Sequence, residues 1–214
     1  MPMSIVDLVT AGGCAGCGNR GARLCAPCRR ALSSPDPPTP SGVDLALSAL
    51  RYEGAARDLL LALKLRGDRP AAGPLIAALV SLAQRRGIRA RVVTFVPGRP
   101  RDRRVRGFDH AEVLARGVAR GLGLPCCALI ARVAEPPDQA SLDAAQRRSN
   151  LLGAFSPRRA WGEGALLVDD LLTTGATASA CAGALRAGGA SFVEAMTACH
   201  SLRGLKGSEP VTSV

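Results

Sequence analysis

Aromatic residues make up only 3% of this 214-residue chain. A core without them has to be built from Ala, Leu and Val, which suits helices packed on a sheet better than an aromatic-rich sandwich. Lysine is nearly absent too: Lys64 and Lys206 are the only two among 28 basic residues, and the rest are arginine. Histidine is confined to His110 and His200. Neither stands at metal-like or triad-like spacing from a cysteine or carboxylate, so no catalytic role is expected of either. No apolar run reaches the roughly 18 residues that a membrane-spanning helix needs. The longest uncharged stretch of note, from Pro70 to Gln84, is interrupted by Gly73 and Pro74, and membrane insertion is not expected. Residues 1–10 contain Asp7 and no basic stretch, which argues against a secretory signal. The chain reads as soluble and cytoplasmic. Apolar residues at 47% against charged residues at 21% exclude a disordered composition.

What is abundant is positive charge, +11 in total, and it is unevenly spread. Residues 51–90 carry 8 basic and 3 acidic groups, residues 91–159 carry 13 and 6, and residues 160–214 carry 3 and 5. A basic middle third implies an anionic partner: phosphate, pyrophosphate or nucleic acid. Its densest cluster, Arg99, Arg101, Arg103, Arg104 and Arg106, directly follows an apolar strand-like run.

Eight cysteines fall into two groups. Cys14, Cys17, Cys25 and Cys28 form C-x2-C-x7-C-x2-C. Paired C-x-x-C knuckles aim backbone N–H groups at thiolates while four sulfurs converge, the arrangement of a tetrahedral structural zinc site. Two disulfides or a redox dithiol are the alternatives; an intracellular compartment disfavours the first, and one C-x-x-C would suffice for the second. Four protein ligands leave no open metal position, so the expected role is structural. Cys126, Cys127, Cys181 and Cys199 lie in apolar segments and read as small core residues.

Ser33 to Gly42 (SSPDPPTPSG) is dense in Pro, Ser and Gly and marks a linker. It divides a cysteine module with linker, residues 1–40, from a main domain, residues 41–203, followed by a polar tail, residues 204–214. Helices are expected over 55–65, 70–86, 109–121 and 176–187, and strands over 91–96, 126–131 (weakly), 165–168 and 191–198. Asp109 with Glu112 three residues on has the form of a capping box. Strand and helix alternating in this way imply a parallel sheet covered on both faces. Tyr52, Phe108, Phe155 and Trp161 are too scattered for base stacking and read as packing residues.

The most informative stretch is Leu166 to Thr177, LLVDDLLTTGAT. An apolar strand is expected to end at two carboxylates, after which a Thr/Gly turn opens a helix. Ligands bind at the carboxyl ends of strands in open α/β sheets. Thr173, Thr174, Gly175, Ala176 and Thr177 offer successive N–H groups and three hydroxyls at a helix N-terminus, a nest for a phosphate monoester. Asp169 and Asp170 would repel that phosphate, so they are expected to face sugar hydroxyls, directly or around magnesium.

This stretch resembles the 5-phosphoribosyl-1-pyrophosphate (PRPP) loop of type I phosphoribosyltransferases. VPGRPRDRRVRGFDHAEVLARGVA (residues 96–119), QASLDAAQRRSNLLGAF (139–155), Arg66-Gly67-Asp68 after Lys64, and the double C-x-x-C together resemble the ComF family of competence-associated proteins. The resemblance covers nearly the whole chain. It implies an α/β fold with a type I phosphoribosyltransferase-like parallel sheet flanked by helices and a small N-terminal four-cysteine zinc module. Position by position, it implies that Asp169 and Asp170 contact the ribose hydroxyls and magnesium, and that residues 173–177 cradle the 5-phosphate. Gly98, Arg99, Arg106 and Gly107 would belong to the pyrophosphate loop, and Gln139, Arg147, Arg148 and Asn150 to a loop that closes over the site. Magnesium would be chelated mainly by the substrate.

The resemblance has departures. Purine salvage enzymes place a carboxylate where this chain has Thr173, so no general base is named. Many ComF relatives carry Asn and Gln where this chain has Asp109 and His110. Two functions follow from the resemblance: transfer of the phosphoribosyl group to an unidentified acceptor, or PRPP binding without catalysis, acting with nucleic acid. Single-stranded DNA, a DNA-uptake apparatus and a second copy of the chain (a homo-oligomer) stay open as partners.

Overall fold

The computed structural model describes residues 13–133 and 153–201. Gln139, Arg147, Arg148, Asn150 and the tail from residue 204 lie outside the described residues. In chain order the elements are α1 (Ala26–Ala31), β1 (Leu45–Arg51), α2 (Gly54–Arg66), a 3-10 turn (Arg69–Ala71), α3 (Ala72–Arg86), β2 (Val92–Phe95), α4 (Pro100–Arg106) and α5 (His110–Leu122). There follow β3 (Ile130–Arg132), β4 (Phe155–Pro157), β5 (Ala165–Leu172), α6 (Ala176–Ala187) and β6 (Val193–His200). Four strands form a parallel sheet in the order β1-β6-β5-β2, and β3 and β4 pair antiparallel beside it.

The strands are apolar on both faces because both faces are covered. Leu166, Val168, Met196 and Ala198 pack against Leu59, Leu60 and Leu63 of α2, Leu75 and Leu79 of α3, and Leu114 and Val118 of α5. Ala165, Leu167, Val193 and Ala195 face Cys181, Ala182 and Leu185 of α6, with Ile130 and Phe155 from the hairpin. Alanine and leucine thus supply the bulk that aromatics do not. Two glycines bring α5 close to α3. A Cβ on Gly117 would stand 2.4 Å from Ile76, and one on Gly121 would stand 2.5 Å from Val80. A side chain at either position would press α5 away from α3.

The segment before β1 closes that strand's free edge. The Ser34 and Arg51 N–H groups donate to the Ala49 and Leu32 carbonyls at 3.3 and 2.7 Å, which occupies backbone groups that an edge strand otherwise leaves open. Cys14 and Leu24 are buried in the larger core.

Several boundaries differ from the sequence expectations, for physical reasons. Strand β5 does not stop at Val168 but continues through both acids to Leu172, paired with β6 up to His200. The arginine cluster after β2 is the short helix α4 rather than a loop, with Pro100 at its first position. Pro70 lies inside a 3-10 turn that begins at Arg69, and α3 proper starts at Ala72. The weak strand expected over 126–131 reduces to a single bridge between Cys126 and Val93, and the chain pairs again only at Ile130. The capping box is half formed. Asp109 Oδ1 accepts from the Ala111 N–H at 3.0 Å, but Glu112 turns to Arg116 at 2.7 Å.

Candidate active site at the carboxyl edge of the sheet

Along β5, Leu166 and Val168 point to the larger core, and Asp170 continues their row. It lands between α2 and α5, only 4% exposed. Lys64 Nζ meets its Oδ1 at 2.8 Å, and His110 Nε2 lies against its Oδ2. Burial alone would raise this carboxyl. The hydrogen bond from His110 and the charge of Lys64 outweigh it and hold Asp170 below its usual range. Asp170 is therefore an ionised, buried group already engaged by two partners.

His110 has a second neighbour. Arg106 Nη1 stands 3.2 Å from His110 Nδ1 and also donates to the Lys64 carbonyl at 3.1 Å, while Arg106 Nη2 pairs with Asp102 at 3.2 Å. Arg106 thus faces inward and ties α4 to α2 and α5.

Asp169 takes the other row, half-buried on the α6 side. Its Oδ1 accepts from the Asp170 N–H at 2.8 Å. Burial, and then the negative charge of Asp170, push its carboxyl up to about 7. Two adjacent acids are thus driven apart: one fixed as an anion, the other poised near neutrality.

After Leu172 the chain turns through exposed Thr173 and Thr174 to Gly175, whose φ of 78° is left-handed. A Cβ there would stand 2.9 Å from Pro40 of the linker, so both conformation and space require glycine. Helix α6 opens at Ala176 with no side chain capping it and no acid in its first turn. Its first-turn amides lack intrahelical partners and face the carboxyl edge of the sheet.

The second loop runs from β2 into α4. The Gly98 N–H donates to Asp109 Oδ2 at 2.7 Å, and a Cβ on Gly98 would stand 2.9 Å from that oxygen. Asp109, an acid that could have repelled an anion here, is buried and spends its two oxygens on the α5 cap and the Gly98 amide. Arg132 Nε reaches the Pro97 carbonyl at 3.1 Å while its guanidinium stacks on Phe155 at 4.6 Å, which fixes the loop from the hairpin side. Arg99 precedes α4, and Gly107 ends it with a φ of 73°.

The four N-terminal cysteines converge, with all four Sγ atoms within 4.8 Å of one another. The Gly16 and Cys25 N–H groups point at Cys14 Sγ, at 3.4 and 3.3 Å. Burial raises the Cys14 thiol, but these amides and that of Cys17 bring it down to about 6. Cys28, hydrogen-bonded to Cys25 and crowded by the other sulfurs, is pushed up to about 12. One thiolate is favoured and further ones are opposed by their neighbours, a conflict that a divalent cation removes. A Cβ on Gly16 would stand 2.8 Å from Cys28 Sγ, so the cluster closes only around a glycine.

Sequence reasoning missed Lys64 and His110. No carboxylate stands at triad-like or metal-like spacing from His110 in sequence; its partner, Asp170, arrives through the fold. The available signal was compositional: Lys64 is the one lysine in the first 200 residues of a chain that otherwise uses arginine. A compact ammonium suits a single carboxylate oxygen better than a forked guanidinium does. Cys181 and Cys199 are buried, as expected, whereas Cys126 and Cys127 are only partly so. No helix among the described residues is long and apolar enough to cross a membrane.

No family model matches the sequence, and no curated protein matches it at a significant level. Among solved structures, glutamine PRPP amidotransferase from B. subtilis, complexed with ADP and GMP, is similar at 24% identity and TM-score 0.42, over 60% of this chain and 26% of its own. Orotate phosphoribosyltransferase from Aeropyrum pernix is similar at 18% identity and TM-score 0.39, over 65% of this chain and 64% of its own. Adenine phosphoribosyltransferase from Leishmania tarentolae is similar at 14% identity and TM-score 0.40, over 65% and 74%. The chain spans about a quarter of the length of the amidotransferase. At this level these are likenesses only, and nothing about substrate or activity passes from them to this chain.

Proposed function

We propose that this chain is a ComF-like phosphoribosyltransferase that binds PRPP with magnesium at the carboxyl edge of the sheet. The observation that carries the reading is the turn after β5. A left-handed Gly175, preceded by exposed Thr173 and Thr174, opens an uncapped helix shortly beyond a half-buried and a buried acid. The helix amides and threonine hydroxyls would take the 5-phosphate. Asp169 would meet the ribose diol first, because Asp170 is engaged by Lys64 and His110. The loop from Gly98 to Gly107, with Arg99 leading, would face pyrophosphate. Magnesium, chelated mainly by substrate oxygens, would neutralise charge on the leaving group. In the transfer, the bond from ribose C1 to the pyrophosphate oxygen breaks, a bond from C1 to an acceptor nucleophile forms, and the acceptor's proton is lost. The four-cysteine cluster would hold structural zinc; its donor set and mutual distances suit that ion.

A second reading, PRPP binding without turnover by a protein that works on nucleic acid, is favoured by one observation: Arg101, Arg103 and Arg104 are exposed on α4. Pyrophosphate release from PRPP, measured with a panel of purine and pyrimidine bases, separates the two. Release with any base supports the enzyme. Absence of release, together with DNA affinity that falls steeply with salt, supports the second reading.

A further inference from the structure

We infer that His110 is a positioning residue that links the arginine of the pyrophosphate-loop helix to the acid of the ribose strand; this rests on the PRPP reading above. The geometry fixes the polarity of the link. Arg106 Nη1, 3.2 Å from His110 Nδ1, can only donate, because a guanidinium has no acceptor. Nδ1 is therefore the bare nitrogen, and Nε2, which carries the proton, lies against Asp170 Oδ2. The imidazole is held as a one-way wire: Arg106 to His110 to Asp170, with Lys64 closing the far side of the carboxylate at 2.8 Å. The Arg106 contact with the Lys64 carbonyl at 3.1 Å makes the arrangement a closed circuit across α4, α5, α2 and β5.

Such a circuit couples two subsites that lie on different loops. A pyrophosphate that draws Arg106 outward removes the donor to Nδ1 and loosens the hold of His110 on Asp170, whose N–H donates to Asp169, the acid that would meet the ribose diol. Occupation of one loop thereby alters the carboxylate pair beside the other. The role needs an acceptor and a donor at the reach of an imidazole, not a titrating group. Glutamine offers the same polarity, amide oxygen towards Arg106 and amide N–H towards Asp170. Methionine fills the space and offers neither.

The test uses the full chain and calorimetric titration with PRPP plus magnesium, and separately with ribose 5-phosphate, which lacks the pyrophosphate. His110→Met is expected to tighten PRPP binding about tenfold relative to its effect on ribose 5-phosphate, because Arg106 no longer has to leave Nδ1, with His110→Gln within about threefold of the parent for both. Thermal unfolding of the variants controls for folding. Equal changes for both ligands in His110→Met, or the same change in His110→Gln, would overturn the inference while leaving PRPP binding standing. A parent chain that binds neither ligand would remove the PRPP reading and this inference with it. The ligand-free protein supplies an independent check: imidazole nitrogen shifts by NMR are expected to show Nδ1 bare and Nε2 protonated, and a protonated Nδ1 overturns the wiring outright.

Discussion

Replacing Asp169 with Asn is expected to stabilise the protein and disable its site at once. The carboxyl titrates at about 7 in the folded chain against roughly 4 in an unfolded one. Between those values the folded state holds a proton that the unfolded state releases. Stability attributable to this group is thus fully present below about pH 4 and is lost as pH rises through 7. At about 1.4 kcal/mol per tenfold, the penalty above pH 7 has a ceiling of about 4 kcal/mol. Asp169 is only half-buried, and solvent screening reduces that to roughly 2 kcal/mol. The substitution keeps the side-chain oxygen that accepts the Asp170 N–H and removes the charge. Thermal unfolding followed by circular dichroism at pH 8 should show a midpoint raised by about 4–8 °C. The gain should shrink steadily with acidification and vanish near pH 4. The same variant should lose at least about tenfold in PRPP affinity, the usual opposition between a strained site and a relaxed one. A midpoint unchanged or lowered at pH 8, or a gain that does not depend on pH, would refute the reasoning.

Three other substitutions test separate parts of the account. Asp109→Ala removes the α5 cap and the Gly98 anchor together and should cost about 2–3 kcal/mol in chemical denaturation, with Asp109→Asn recovering most of it. Lys64→Met leaves a buried anion with one partner fewer and should cost about 2–4 kcal/mol at neutral pH. Because the Asp170 carboxyl is held low, its stabilisation is present above the ordinary carboxylate range and lost as pH falls through the folded value. Acid unfolding of Lys64→Met should therefore begin at higher pH than in the parent. Gly16→Ala drives a Cβ into Cys28 Sγ and should lower zinc content measured by elemental analysis from about one ion per chain. A parent protein without zinc and with four freely titrating thiols defeats that part.

Much of the fold was legible because its signals are local. The apolar run Leu166–Val168, the helix from Ala176 ended by glycines, and the alternation of strand and helix each depend on neighbours in sequence, and each was found close to its predicted place. The cysteine cluster was legible for the same reason: its spacing is its geometry. Boundaries failed where tertiary pairing overrode composition. Two aspartates are poor strand formers, yet β6 pairs across them and carries β5 on to Leu172. The arginine run looked like a loop because its charge density concealed a proline-initiated helix. At the site, the turn and both acids could be named from spacing, but their states could not. That Asp170 is clasped by Lys64 and His110, residues 106 and 60 positions earlier, depends on how α2 and α5 pack on the sheet. The inward turn of Arg106 is equally non-local, since a surface arginine and a buried wire read the same in one dimension.

The central claim, that the bend after Leu172 grips a phosphorylated pentose, is tested most directly by amide chemical-shift mapping of the whole chain titrated with PRPP and magnesium. The account predicts that the largest shifts fall on the N–H groups of Thr174, Gly175, Ala176 and Thr177, with smaller ones at Asp169 and around Gly98. Saturating ligand that leaves those four amides unmoved contradicts it.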